Sequence, residues 1–195
     1  FKLYKKFCPG PLTFVLKLKK NSKISKNVTN KKKTLAVRFP SHQITRSLLK
    51  KLNYPLAAPS ANISTKISPV SKKDVKDEFG KKVSIILDGG RSKIGVESTI
   101  INLVNKPQVL RLGGIPRAEI KKYLKLNLIF NKKSKLKTPG QEKTHYSPYI
   151  KLRLNIKNPK RDEAFILIKK RNQKKTNFFY LTKNNNLKEA AKNLY

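Results

Sequence analysis

The sequence predicts an α/β layer fold on a mixed sheet, then a basic linker, then the start of a second small α/β domain. Three observations carry this. Short apolar segments alternate with stretches of helical period, the pattern of layered α/β domains. Two strand-like segments, Thr99–Val104 and Gln108–Leu112, are separated only by Asn105-Lys106-Pro107. They read as a hairpin, which makes the sheet mixed rather than purely parallel. From about residue 123 the chain turns polar, basic and Pro/Gly-containing, and apolar periodicity returns only near Phe165. The expected boundaries are 1–122 for the first domain, 123–147 for the linker and 148–195 for the second.

Each element has a local reason. Leu12 to Leu18 is apolar and partly alternating, a strand entered through the turn signal Pro9-Gly10-Pro11. Asn21 to Lys33 is polar and basic, a loop. Thr34 to Phe39 is a second strand. Ser41 caps a helix from about His42 to Leu52, with Ile44, Leu48 and Leu49 on one face. Pro55 to Ala58 reads as a short buried strand running into Ser60-Ala61-Asn62. Ser71 opens another helix, with Val75 and Phe79 on one face, and Gly80 ends it. Val83 to Leu87 is a further strand. Pro116 fits the first turn of a helix through Leu124. In the second domain, Phe165–Lys169 and Phe178–Leu181 read as strands. Leu187 to Tyr195 reads as a helix that runs uncapped to the end of the chain.

Composition narrows the function classes. Lys and Arg total 47 of 195 residues against 10 Asp and Glu, a net charge of +37. Two readings stay open: a nucleic-acid partner, or a genome biased toward Lys, Asn and Ile codons. The basic residues are spread along the chain, and runs such as Lys31-Lys32-Lys33 lie between apolar segments like solvated loops. No apolar core follows a basic start at Phe1, so no signal peptide is read. No apolar run approaches the roughly 20 residues of a membrane helix, and no membrane partner is expected. The one cysteine, Cys8, suits a reducing, cytoplasmic compartment. His42 and His145 are the only histidines, and neither sits in a zinc pattern.

Acidic residues are few in motif-like settings: Asp88 before Gly89-Gly90, and Glu97 in Gly95-Val96-Glu97-Ser98-Thr99. No paired carboxylates suggest glycosidase chemistry, and no Ser-His-Asp spacing suggests a hydrolase. What recurs is a small hydroxyl beside Gly, Pro or Ala: Thr13, Ser60, Ser64, Ser68, Ser98 and Thr99. Such places expose backbone N–H groups and add hydroxyl donors, which suits phosphate or carboxylate oxygens. The same residues also simply make turns. Arg38 closes an otherwise apolar strand, where a planar guanidinium can grip a carboxylate by two parallel hydrogen bonds. Arg111 ends a strand just before Gly113-Gly114, and a glycine pair lets a ligand approach the backbone. Each arginine is a weak signal alone.

The ordered set is stronger. Phe7-Cys8-Pro9-Gly10-Pro11-Leu12-Thr13, Ala36-Val37-Arg38-Phe39-Pro40, Pro55-Leu56-Ala57-Ala58-Pro59-Ser60-Ala61-Asn62, Ser68-Pro69 and Gly95-Val96-Glu97-Ser98-Thr99 resemble the YrdC-type L-threonylcarbamoyl-AMP synthase family. Thr138-Pro139-Gly140 and His145-Tyr146-Ser147-Pro148 resemble the linker of its two-domain form, and Leu187–Tyr195 a helix of its C-terminal domain. The resemblance implies a YrdC-like twisted mixed sheet, here truncated. It implies an enzyme that condenses L-threonine, bicarbonate and ATP, with Mg2+ accompanying ATP, for threonylcarbamoyladenosine modification of tRNA. It implies ATP contacts from Thr34, Ser60, Ser68, Arg111 and Tyr146, and L-threonine contacts from Arg38, Ala58 and Ser98. Further expected partners are tRNA and the downstream threonylcarbamoyl transferase.

The sequence departs from the pattern in several places. Cys8 stands for a usual tryptophan, Thr65 for a frequent glycine, Gln141 for a usual methionine and Leu112 for a common proline. The family's N-terminal portion, with its Lys-x-Arg phosphate-binding segment, has no counterpart, so this stretch alone is expected to be inactive or nearly so. Two rivals are a YrdC-like module that binds double-stranded RNA or tRNA without catalysis, and the carbamoyl-transfer domain of a hydrogenase-maturation protein. The His145-Tyr146 linker speaks against the latter.

Overall fold

The computed structural model describes residues 1–124, 129–130, 150–170 and 175–194. In chain order the elements are α1 (Lys2–Phe7), β1 (Leu12–Lys17), α2 (Lys26–Thr29), β2 (Thr34–Arg38), α3 (Gln43–Lys50), α4 (Lys72–Phe79), β3 (Thr99–Asn102), β4 (Gln108–Arg111), α5 (Arg117–Leu124), β5 (Ile129–Phe130), β6 (Phe165–Lys169), β7 (Phe178–Thr182) and α6 (Leu187–Lys192). A 3-10 turn at Gly80–Lys82 follows α4. The chain gathers into two units, Phe1–Ser60 with Glu97–Lys143, and Ala61–Val96 with Thr144–Tyr195.

The first unit is built on a five-stranded sheet in the order β2-β1-β3-β4-β5. β1 runs antiparallel to β2 and parallel to β3, β3 antiparallel to β4, and β4 parallel to β5. The sheet is therefore mixed, as the hairpin spacing requires. Alternation along each strand sorts the side chains between faces. Leu12 and Phe14 of β1, Ile101 of β3 and Val109 of β4 share one face and pack with Leu3 of α1, with Ile120 of α5 and with Ile115 just before that helix. Val15, Ile100 and Leu110 form a smaller cluster of their own. Phe7 and Tyr123 meet edge to face at 5.3 Å between centroids, tying α1 to α5.

Several elements differ from expectation for identifiable reasons. The helix α1 has no counterpart in the sequence reading: six residues with inward positions at Leu3 and Phe7 are too few to show a period. Inside the expected loop Asn21–Lys33, α2 makes a single turn, capped by the Ser25 hydroxyl and closed by Asn30 at φ 49°. α3 is capped by His42 rather than Ser41, without a side-chain cap bond. Neither Pro55–Ala58 nor Val83–Leu87 is a strand. Pro55 and Pro59 lack the N–H a ladder needs, and Leu56 is exposed rather than buried. Ile85 and Leu87 are exposed too, and no strand among the described residues pairs with theirs.

β3 stops at Asn102 because the Asn102 side-chain carbonyl accepts the N–H of Val104 at 3.0 Å, turning the chain. The Pro116 carbonyl accepts the N–H groups of Glu119 and Ile120, so Pro116 stands just before α5 rather than inside its first turn. β5 and the last two residues of α5 lie in the stretch read as linker; its residues 125–128 and 131–147 lie outside the described residues.

In the second unit, α4 begins as its sequence dictates. The Ser71 hydroxyl accepts the N–H of Asp74 at 3.3 Å while Asp74 Oδ2 accepts the N–H of Ser71 at 2.9 Å and of Val70 at 3.0 Å. Gly80 ends the helix at φ 54°. β6 and β7 form a parallel pair, and α6 follows, capped by the Asn186 side chain. The expected helix to Tyr195 stops at Lys192 with Asn193 as its C-cap. No helix among the described residues is long and apolar enough to cross a membrane.

The Val70 N–H foremost, then the Ser71 side chain, hold the Asp74 carboxyl below its ordinary value. Its contribution is full above the unfolded aspartate pKa of about 3.9 and is lost as pH falls through that value toward the lower folded one. Asp74→Asn is expected to flatten that part of the acid limb. Denaturation midpoints of wild type and variant between about pH 5 and pH 2 check it; parallel curves would refute it.

Candidate functional site

Strand directions alone bring four chain segments to one end of the first unit's sheet. β2 runs opposite to β1, and β4 opposite to β3. The ends of β2 and β4 therefore lie beside the beginnings of β1 and β3. The register fixes the row: Arg38 pairs with Thr13, Thr13 with Ile100, and Ile100 with Arg111.

Ser98 sits at the centre of this end, just before β3 and buried. Its hydroxyl lies 2.8 Å from that of Thr13. The Arg111 guanidinium closes on it from the other side. Nε and Nη2 donate to the Ser98 carbonyl at 3.1 and 2.9 Å, and Nη2 donates to the Ser98 hydroxyl at 3.1 Å. Nη2 also stands 3.5 Å from Glu97 Oε2, with the two side chains only 14% and 25% exposed. Thr99 anchors the same segment: its hydroxyl donates to the Ile115 carbonyl at 2.7 Å and accepts the Ile115 N–H at 3.0 Å.

The glycine pair has a different use from the one its sequence suggests. A Cβ on Gly113 would collide with the backbone of Glu97, Ser98 and Thr99. The close approach at Gly113 is thus to the protein's own chain, not to a ligand. The Gly114 N–H donates to the Glu97 carbonyl at 2.8 Å, fastening the two segments together. Gly10 works similarly in its turn, where a Cβ would strike the Phe7 carbonyl. The Gly10 N–H donates to Phe39 at 2.7 Å, and Arg38 Nε donates to the Gly10 carbonyl at 3.3 Å. Arg38 is held by one backbone contact while its surface stays exposed. Desolvation lowers its pKa, Glu97 opposes this, and Arg111 adds to it. A guanidinium stays charged at neutral pH through such a shift. The result is two cations facing one partly buried carboxylate, an electrostatic setting for an anionic ligand.

Of the residues singled out in the sequence, Arg38, Ser98 and Arg111 meet here. Thr34 shares the Arg38 face of β2 but sits four residues away, about 13 Å along the strand. Ala58 and Ser60 are exposed in the irregular segment after α3. Ser68 belongs to the second unit, half-buried at a cleft of about 230 Å³ that Asp74 and Arg91 also line. Tyr146 and His145 lie outside the described residues. Two members of the cluster were assigned to no particular ligand by the sequence reading. Thr13 stood among several small hydroxyls, and Glu97 was one residue of a motif. Their roles depend on pairing across strands, which spacing along the chain does not reveal. Among the described residues, no group of three His, Cys, Asp or Glu could hold a metal.

Comparison with known proteins places the chain in a family. The family model for Sua5, YciO and YrdC, described as "Telomere recombination", matches residues 1–113. The model described as "Threonylcarbamoyl-AMP synthase, C-terminal domain" matches residues 115–195. The chain belongs to the Sua5/YciO/YrdC family, in the form that carries this C-terminal domain. It is 43% identical over 152 residues to the threonylcarbamoyl-AMP synthase of Pyrococcus abyssi, covering 75% of this chain and 44% of that protein. To the threonylcarbamoyl-AMP synthase of Schizosaccharomyces pombe it is 41% identical over 167 residues, covering 79% and 41%. The crystal structure of P. abyssi Sua5 complexed with L-threonine superimposes with a TM-score of 0.82 at 34% identity, over 98% of this chain and 62% of that one. The chain spans less than half the length of the curated relatives it matches most strongly.

Gly113→Ala forces a methyl group into the 97–99 backbone, so it is expected to destabilise the first unit by about 1–3 kcal/mol. Chemical denaturation checks this; an unchanged midpoint would show that the two segments are not clamped.

Proposed function

We propose that this chain is part of an L-threonylcarbamoyl-AMP synthase that joins L-threonine, bicarbonate and ATP for tRNA modification. The observation that carries this is the meeting of Arg38, Ser98 and Arg111 at one end of the sheet. Two guanidiniums and a buried hydroxyl suit a ligand with a carboxylate near a phosphate. The relatives named threonylcarbamoyl-AMP synthase, and the P. abyssi Sua5 structure that holds L-threonine, support the same reading.

In this proposal Arg38 takes the L-threonine carboxylate, helped by Ser98 and the backbone at Ala58. Arg111, Thr34, Ser60, Ser68 and Tyr146 serve ATP. The threonine amine attacks the bicarbonate carbon, and loss of water leaves a carbamate. A carbamate oxygen then attacks the α-phosphorus of ATP, and pyrophosphate departs. No covalent protein intermediate is needed. The protein's part is to neutralise and align two anionic substrates, which are otherwise slow to approach each other. In this proposal Mg2+ enters with ATP as part of the substrate, on phosphate oxygens. The product's threonylcarbamoyl group passes to tRNA through a downstream transferase, in the cytoplasm.

The net charge of +37 favours a second reading, a module that grips RNA by its phosphates without catalysis. One experiment separates the two. The full-length product of the gene encoding this chain is expected to release pyrophosphate only when L-threonine and bicarbonate are both present, without tRNA. Tight RNA binding with no pyrophosphate under any substrate mixture would favour the module.

Arg38→Ala tests the assignment within the site. Loss of a charge-assisted fork on a carboxylate costs about 2–4 kcal/mol, so L-threonine affinity is expected to fall about 30- to 1,000-fold. ATP affinity should hardly change. Calorimetric titration of each substrate decides it, and an equal loss of both with the fold intact would remove Arg38 as the carboxylate anchor.

A further inference from the structure

We propose that Thr13 is a positioning residue for L-threonine, acting through the hydroxyl of Ser98; this rests on the function proposed above and adds a residue to that site. Thr13 is the second residue of β1 and is buried. Its Cα pairs with Arg38 on one side and with Ile100 on the other. Its hydroxyl lies 2.8 Å from that of Ser98. Thr13 thus stands between the strand that carries Arg38 and the segment that carries Ser98.

Proton counting shows what the pair can do. A guanidinium only donates, so the Ser98 oxygen accepts from Arg111 Nη2 at 3.1 Å. Thr13 and Ser98 together own two hydroxyl protons, and their mutual bond uses one. The other is left to donate to a ligand oxygen. When Thr13 donates, both lone pairs of Ser98 are engaged and the Ser98 proton is the one offered. With Thr13 as the donor, the Ser98 rotor is fixed from two sides, and Ser98 presents one donor at the end of the sheet that carries Arg38. A carboxylate, which only accepts, matches that donor and the guanidinium together.

Valine has nearly the shape of threonine but neither donor nor acceptor. With Thr13→Val the Ser98 hydroxyl keeps only the Arg111 bond and turns more freely. A residue that served packing alone would lose little by this change, because the methyl groups still fill the site. A positioning residue loses threonine recognition specifically.

The test uses the full-length gene product, as wild type, Thr13→Val, Thr13→Ser, Ser98→Ala and the Thr13→Val/Ser98→Ala double variant. Calorimetric titration gives L-threonine affinity, and pyrophosphate release gives KM and kcat for each substrate. Thr13→Val is expected to weaken L-threonine binding about 5- to 30-fold, the loss of one hydrogen bond in a charged site. Thr13→Ser should restore most of it. KM for ATP should stay constant, and Thr13→Val should add nothing further in the Ser98→Ala background. Should the valine variant melt early, Thr13→Ala in the same cycle gives the same readout with a smaller side chain. Unchanged threonine affinity, a serine variant as poor as valine, or additive effects with Ser98→Ala would each overturn the inference. A wild type that binds no L-threonine would overturn the proposed function itself, and the inference with it.

Discussion

The Arg111 guanidinium grips the Ser98 carbonyl with two of its nitrogens, and much of the first unit's functional end depends on that grip. It joins the end of β4 to the entry of β3 after the chain has left their ladder. The same residue reaches the Ser98 hydroxyl and Glu97, so one side chain fixes a backbone, a donor and a carboxylate together. Such a contact is available only because Gly113 lets the two backbones touch. A bulkier residue there would push the segments apart and take the guanidinium off its carbonyl.

The charge arrangement follows from this clamp. Arg38 and Arg111 belong to opposite flanks of the β1–β3 pair, yet they are near enough for Arg111 to depress the Arg38 pKa. Glu97 offsets that repulsion. Two cations held together in a partly buried place store electrostatic free energy that an anion can release. This local arrangement is a different matter from the net charge of +37, most of which sits on exposed lysines and says little about a particular ligand.

The fold was legible in the sequence where a local rule coincided with tertiary packing. β1 and β2 were, because short apolar runs bounded by turn signals mark strands, and β1 is buried on both faces over Leu12–Val15. The start of α4 was as well, because Ser71 and Asp74 satisfy each other without outside help. The segments Pro55–Ala58 and Val83–Leu87 were not, since apolar composition suggests a strand but only a pairing partner makes one. The short helix α1 gave no warning because its fold-defining contacts, Leu3 to the sheet and Phe7 to Tyr123, are with distant residues.

The candidate site divides along the same line. By itself the sequence determined the chemistry: arginines at strand ends, small hydroxyls beside glycine and proline, few carboxylates, and an order of motifs that resembles one family. Those are properties of residue type and local spacing, which the chain carries whether folded or not. The tertiary structure alone decided the partnerships. It put Ser98 against Thr13 across 85 positions of sequence, turned Gly113 toward its own backbone, and set Glu97 against Arg111. These depend on strand direction and register, because a sheet brings together residues that share a rung rather than residues that are near in sequence.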